Sequence, residues 1–311
     1  GERVDELLRN ADVAMYRAKD GGKGRHAVFE PGMHAALLER LELEADLRHA
    51  IERDELHVVY QPIVELESGI ISSVEALARW HRAGHEPPSA ATFIPLAEET
   101  GLIVPIGLWV LTQACRQGRE WQLASTDGTA PAISVNVSAR QLQDPGFVDD
   151  VASVLALTQF PADRLILEIT ESVLLTNSKS VVTRLRELKR LGLRLAIDDF
   201  GTGYSNLGYL QHFPVDILKI DRSFITRMGS DGSDAALASS IVGLAATLKL
   251  QAVAEGVEQL EQRDQLLALG CGYGQGFLFA KPVGPEAVRA LLRGGNNAML
   301  ALPRLASAGA G

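Results

Sequence analysis

Apolar and polar residues alternate along this chain at two different periods. Residues 1–31 open on a helical run in which Ala11, Ala14, Met15 and Ala18 share one face, the spacing of an amphipathic helix. A glycine-broken turn at Asp20-Gly21-Gly22 should follow, then a short strand near His26–Phe29. This zone is too small to bury a core alone. Residues 32–55 read as a connecting helix, from about His34 to Arg53, with Leu37, Leu41 and Ile51 as apolar positions among charges of both signs. That pattern fits a solvated linker. From residue 56 the period changes. Short apolar, β-rich runs occur at 57–64, 73–78, 133–137, 165–170, 193–199, 216–220, 251–255 and 275–279, with longer helix-like stretches between them.

Runs of this kind alternating with helices predict βα units and a mainly parallel sheet. Eight of them within residues 56–293 predict an α/β fold, a TIM-like (β/α)8 barrel. One connection departs from the rule. Only residues 65–71, with Ser68-Gly69 as a turn signal, join the first two runs, and a parallel crossover needs about a dozen residues. Strands one and two should therefore form a hairpin, leaving strand one antiparallel. Residues 294–311 are Gly-, Ala- and Leu-rich and read as a frayed tail.

Composition narrows the function. With 46% hydrophobic and 22% charged residues, the chain has material for a sizeable core and is not a disordered sequence. Its net charge of −9 argues against a nucleic-acid polymer or an anionic membrane surface as partner. The two cysteines, Cys115 and Cys271, cannot build a disulfide framework and suit a reducing, cytoplasmic setting; both read as packing residues. No segment reaches the roughly 18 apolar residues of a membrane helix. The chain lacks an initiator Met and opens within helix-like sequence, so it reads as a fragment, with room upstream for a sensor or membrane anchor.

Polar residues recur late in the apolar runs: Glu75, Asn136, Glu168, Asp198 with Asp199, Lys219, Glu255 and Gln275. A buried carboxylate is costly unless it is paired or binds a metal. Successive strands placing such groups at the same end point to the C-terminal rim of a barrel, where active sites of this architecture lie. The donors are all oxygens, which disfavours zinc and suits Mg2+ or Mn2+. Two adjacent aspartates at a strand end can serve two ions, with Asp198 bridging. Such a pair clamps the attacking and leaving oxygens of a phosphoester displacement. Lys219 can hold developing negative charge, Glu255 can take a proton from the attacking water, and Arg79 is a candidate phosphate fork. Singly, each has a plainer reading as a structural ion pair or turn residue. His57, His81 and His85 read as surface residues, and Trp80, Trp109 and Trp121 as core.

These motifs together resemble the EAL domain family. The resemblance runs in order through Tyr60-Gln61-Pro62-Ile63, Glu75-Ala76-Leu77-Ala78-Arg79-Trp80, Asn136-Val137-Ser138 and Leu167-Glu168-Ile169-Thr170-Glu171-Ser172. It continues through Asp198-Asp199-Phe200-Gly201-Thr202-Gly203-Tyr204-Ser205, Lys219-Ile220-Asp221, Ala254-Glu255-Gly256-Val257-Glu258 and Gln275-Gly276. It implies a phosphodiesterase that opens cyclic di-GMP to linear pGpG with Mg2+ or Mn2+. Glu75, Asn136, Glu168 and Asp198 would hold a first ion, and Asp198 and Asp199 a second. Lys219 would orient the water, and Glu255 would be the base. Gln61, Leu77, Arg79 and Gln275 would contact substrate. Glu171 would pin the loop after strand five, and a homodimer through the barrel is expected. Asn206 replaces a common serine in that loop, and the stretch 81–85 differs from the usual one. A non-catalytic cyclic di-GMP receptor, or a docking scaffold, is the alternative; the full set of ligands and base favours catalysis. Residues 11–19 resemble the end of a GGDEF domain. The motif naming that domain is absent here, so no diguanylate cyclase activity is expected of this chain, and GGDEF and sensor domains are expected upstream.

Overall fold

The computed structural model describes residues 4–20, 26–125, 130–175, 179–201, 210, 213–226, 228 and 232–293. The expected turn at Gly21-Gly22, the loop residues Thr202–Asn206 and the tail 294–311 lie outside them. The chain divides into two compact units, Gly1–Glu55 with Trp80–Leu102, and Leu56–Arg79 with Ile103–Gly311.

The first unit contains helices α1 (Val4–Asp20), α2 (Met33–His49) and α3 (Ala90–Thr100). Val13, Ala14 and Met33 form a small core, with Phe29 and Leu37 against it. The strand expected near His26–Phe29 is not formed; residues 26–30 are irregular. No described strand lies beside them to complete a ladder, and a lone strand leaves its backbone groups unpaired. The apolar face of α2 is also shifted: Leu43 and Leu47 are buried, whereas Leu41 is exposed. Trp80 and Phe93 are fully buried and meet edge to face at 5.9 Å. The Trp80 indole N–H donates to Glu55 at 3.0 Å. Asp46 takes two N–H groups of Arg82, at 3.1 and 2.5 Å.

The second unit is the barrel. Its strands are β1 (Leu56–Glu65), β2 (Ile71–Trp80), β3 (Ala132–Val137), β4 (Leu165–Thr170), β5 (Arg194–Phe200), β6 (Ile217–Ile220), β7 (Gln251–Ala254) and β8 (Tyr273–Gln275). They close in sequence order. Pairing from β2 through β8 is parallel. β1 runs antiparallel against β8, with Ile63 opposite Gln275. The hairpin explains this: Glu65 N–H donates to Ile70 O at 2.9 Å, and Gly69 takes the left-handed conformation the turn needs, φ 70°.

The eighth apolar run was expected to be a strand over 275–279, but β8 ends at Gln275. Gly276 lies so close to Val257 that an added Cβ would sit 2.1 Å from the Val257 carbonyl oxygen. There Phe279 N–H turns back to Gly276 O at 3.1 Å, which ends the ladder.

Around the barrel lie α4 (Ile103–Ala124), α5 (Ala139–Gln143), α6 (Phe147–Thr158), α7 (Glu171–Leu175) and α8 (Lys179–Arg190). Then follow α9 (Arg222–Thr226), α10 (Gly232–Leu248), α11 (Leu260–Ala268) and α12 (Pro285–Arg293). α4 buries Ile106, Val110, Ala114, Cys115 and Trp121. Cys115 and Cys271 are free and buried, as expected of packing residues. No described helix is long and apolar enough to cross a membrane.

Inside the barrel, Ile63, Ala132, Ile166, Ala196, Ile217 and Val253 form a buried cluster, with Tyr273 packed against it. This ring is an apolar floor. Side chains two positions apart on a strand share a face. One step beyond the floor therefore stand Gln61, Glu168, Asp198, Lys219, Glu255 and Gln275, and two steps along β3 stands Asn136. The alternation that fills the core also assembles the polar layer above it.

Candidate functional site

Lys219 is the hub of that layer. It is 1% exposed. Its Nζ lies 2.6 Å from Glu168 Oε2, 2.7 Å from Glu255 Oε1, 3.1 Å from Asp198 Oδ1 and 3.6 Å from Glu75 Oε2. Glu75 is held on both oxygens: Asn136 Nδ2 donates to Oε1 at 2.6 Å, and Gln275 Nε2 donates to Oε2 at 2.7 Å. Gln275 Nε2 also reaches Gln61 Oε1 at 3.0 Å, and Gln61 in turn donates to Ala280 O at 3.1 Å. Of the sequence-predicted residues, the structure thus brings Glu75, Asn136, Glu168, Asp198, Lys219, Glu255, Gln61 and Gln275 into one connected network. Leu77 and Arg79 continue β2 and are half-buried. Among the described residues the Arg79 guanidinium donates to Ala78 O, at 2.8 Å, and burial lowers its pKa.

Asp198 and Asp199 need a local irregularity. Neighbours on a regular strand face opposite sides. Between Ile197 and Phe200 the register with β6 shifts, and Asp199 takes φ 55°. A bulge re-aims a side chain, and aspartate tolerates the left-handed region better than most residues. Asp198, Asp199 and Glu255 consequently place one carboxylate oxygen each within 4.8 Å of one another. Glu75, Glu168 and Asp198 form a second such group.

Local chain geometry supports both strand ends. Ser138, just after β3, starts α5 with its hydroxyl accepting Gln141 N–H at 3.2 Å while the Gln141 side chain returns to the Ser138 backbone, a capping box. Buried Glu171, at the end of β4, accepts Gly201 N–H at 2.8 Å. Gly201 has φ 100°, and a Cβ there would meet the Phe224 ring at 2.8 Å. Glu171 is therefore bonded to the residue that leaves β5, next to the two aspartates.

Electrostatics follow from the crowding. Burial alone would depress the Lys219 ammonium, but the carboxylates of Glu168, Glu255, Glu75 and Asp198 hold its pKa well above the ordinary lysine range. Burial, joined by the charges of Glu75 and Asp198, drives Glu168 well above the carboxylate range despite Lys219. Burial likewise pushes Glu255 up to about 8. Glu75 goes the other way: against burial, Lys219 and the amide N–H groups of Gln275 and Asn136 stabilise its anion. Asp199 is raised, first by burial and then by Asp198 and Asp221. More negative charge converges here than one lysine neutralises, and protons fill part of the deficit. Divalent cations fill the same deficit when ligands deprotonate. The two groups contain only hard oxygen donors, share Asp198 and include no His or Cys. That donor set fits Mg2+-like ions.

Two residues within the quoted motifs and runs were given no role from the sequence. Asp221 stands two positions beyond Lys219, on the same face; its Oδ1 accepts Ser223 N–H at 2.9 Å, opening α9, and its charge raises Asp199. The period-two spacing from Lys219 was the available signal. Ser134 is fully buried in the barrel with no partner for its hydroxyl among the described residues, and a serine in an apolar run carries no sequence signal. His57, His81 and His85 are exposed, and Trp80 and Trp121 are buried, as expected; Trp109 is half-buried.

Comparisons with known proteins agree with this geometry. The chain is 45% identical over 292 residues to the bifunctional diguanylate cyclase/cyclic di-GMP phosphodiesterase MucR of Pseudomonas aeruginosa, covering 93% of this chain and 42% of MucR. It is 40% identical over 285 residues to the cyclic di-GMP phosphodiesterase PdeR of Escherichia coli, covering 91% of this chain and 42% of PdeR. The chain thus spans less than half the length of these relatives. A solved structure of the PaMucR phosphodiesterase in complex with c-di-GMP superposes with a TM-score of 0.76 at 44% identity, covering 79% of this chain and 99% of that one. The EAL enzyme Bd1971 with cAMP and cyclic di-GMP bound gives a TM-score of 0.79 at 32% identity, covering 94% of this chain and 76% of that one. The EAL domain model matches residues 44–282, and with its barrel and rim of carboxylates this chain belongs to the EAL domain family.

Proposed function

We propose that this chain is a cyclic di-GMP phosphodiesterase that opens one phosphodiester of the ring with water to give linear pGpG, using two Mg2+ or Mn2+ ions. The observation that carries the reading is the pair of carboxylate groups sharing Asp198, arranged about Lys219 and Glu255 above the apolar floor of an EAL-family barrel. Relatives named as cyclic di-GMP phosphodiesterases support the substrate.

Glu75, Asn136, Glu168 and Asp198 would hold one ion, and Asp198 with Asp199 the other. When bound, such ions polarise the phosphoryl oxygens and lower the pKa of water. The chain's own groups do the rest. Glu255 accepts the proton of the attacking water as its oxygen bonds to phosphorus and the bond to the departing ribose oxygen breaks. Lys219 holds Glu255 and Asp198 in position and offers N–H to charge developing on the phosphate. Gln275 and Asn136 fix the Glu75 carboxylate. Gln61, Leu77, Arg79 and Gln275 would contact the dinucleotide, and Glu171 would set the loop after β5. The function belongs in the cytoplasm, consistent with two free buried cysteines. Residues 1–31 we read as the end of a GGDEF domain, and we expect the barrel to pair as a homodimer.

Purified protein with Mg2+ or Mn2+ should convert cyclic di-GMP to pGpG, measured by chromatography, and a chelator should stop it. Glu255→Ala should bind the dinucleotide yet lose about 100-fold or more in turnover, the scale of a lost general base. Wild-type protein that binds the dinucleotide and never cleaves it would instead make the barrel a receptor.

A further inference from the structure

We propose that Phe277 is a stacking platform for a purine base of the substrate, a specificity residue at the mouth of the site; this rests on the dinucleotide reading above. Phe277 is 54% exposed, the one exposed Phe, Tyr or Trp among residues whose exposure is described. Singly exposed aliphatic residues are ordinary. This ring differs because its backbone cannot withdraw it. Gly276 packs against the Val257 backbone so closely that no side chain fits between them. Val257 N–H donates to Gln275 O, and Leu278 N–H to Val257 O, each at 3.0 Å. Ala280 N–H also turns back to Gly276 O, at 3.2 Å. Phe279, two positions on, takes the buried place and is 0% exposed. The turn therefore buries one phenylalanine and holds the other out.

Its location gives the exposure a purpose. The turn begins at Gln275, whose amide touches Glu75. It is hydrogen-bonded to Val257, two residues beyond Glu255. Gln275 belongs to the carboxylate layer and Val257 follows Glu255 by two residues, so the turn that carries the ring is fastened beside that layer. Lys281 Nζ lies 5.6 Å from the ring centroid. A ring with a cation over one face and its other face free for a base suits a ligand that carries both a flat base and a phosphate. Stacking reads the π-face common to all bases, so the platform selects nucleotides over simple phosphodiesters rather than guanine over adenine.

The test is steady-state kinetics on cyclic di-GMP. Phe277→Ala should raise KM roughly tenfold or more, the scale of one lost base stack. It should leave kcat within about twofold and the melting temperature unchanged, because an exposed ring leaves no cavity. Phe277→Trp should restore KM. An unchanged KM in the alanine variant, or a loss that tryptophan shares, overturns the proposal while the phosphodiesterase reading stands. Wild-type protein that neither binds nor cleaves the dinucleotide overturns both.

Discussion

Around Lys219, four carboxylates approach within 3.6 Å of one ammonium. A lysine that deeply buried keeps its charge only because anions surround it. The surplus anions keep theirs only when cations arrive. Without metal, Glu255 titrates near 8 and Glu168 also lies above the usual range. The sign for stability follows. A carboxyl that holds its proton more tightly folded than unfolded stabilises the fold fully at low pH, and that contribution is lost as pH rises toward its folded pKa. For Glu255 the loss runs from about 4.5 to about 8. The chelated protein should therefore melt at lower temperature at pH 9 than at pH 6, and saturating Mg2+ should shrink the difference. Calorimetry at the two pH values with and without the ion checks this; a chelated protein equally stable at both would remove the proton-filled picture of the site.

Elements decide which side chains can reach that cluster. Strand alternation delivers Glu168, Asp198 and Lys219 directly, but Asp199 depends on the bulge at the end of β5 and on its left-handed φ of 55°. Two substitutions separate the conformation from the charge. Asp199→Asn tolerates the left-handed region and should keep the melting temperature while weakening ion binding. Asp199→Val adds a β-branched residue where that region is strained, and should also cost about 1–3 kcal/mol of stability. Titration calorimetry with Mn2+ and denaturant unfolding together distinguish them. Equal stability of the two variants would mean that the bulge does not demand this conformation.

Across the whole molecule, the barrel keeps chemistry and stability at opposite ends. At the strand starts, Lys189 Nζ bonds both oxygens of Asp216 at 2.8 and 2.7 Å and Leu193 O at 3.0 Å, and Leu195 N–H adds a bond to Asp216 at 2.8 Å. This network ties the beginnings of β5 and β6, ahead of Asp198 and Lys219 on the same strands. Asp216→Ala should cost about 1–3 kcal/mol, because it leaves the Leu195 N–H without its acceptor and the half-buried Lys189 ammonium with only Leu193 O. It should leave kcat on cyclic di-GMP unchanged below the melting transition. A loss of turnover at full folding would show that the two ends are coupled.

Much of this protein is written in its linear pattern. Eight β-rich runs at βα spacing state the barrel, a connection too short for a crossover states the antiparallel first strand, and polar residues at the ends of apolar runs state the rim. These features are local, fixed by spacing along one strand or turn, so they survive without knowledge of neighbours. What required the third dimension is equally specific. The stretch at 26–30 formed no strand because no described strand lies beside it. The run at 275–279 broke after Gln275 because Gly276 meets Val257, a residue from another loop. Asp199 turned toward Glu255 through a register shift that only pairing with β6 defines. The choice of which carboxylates hold protons likewise came from distances between strands, since the field at each group is a sum over neighbours remote in sequence.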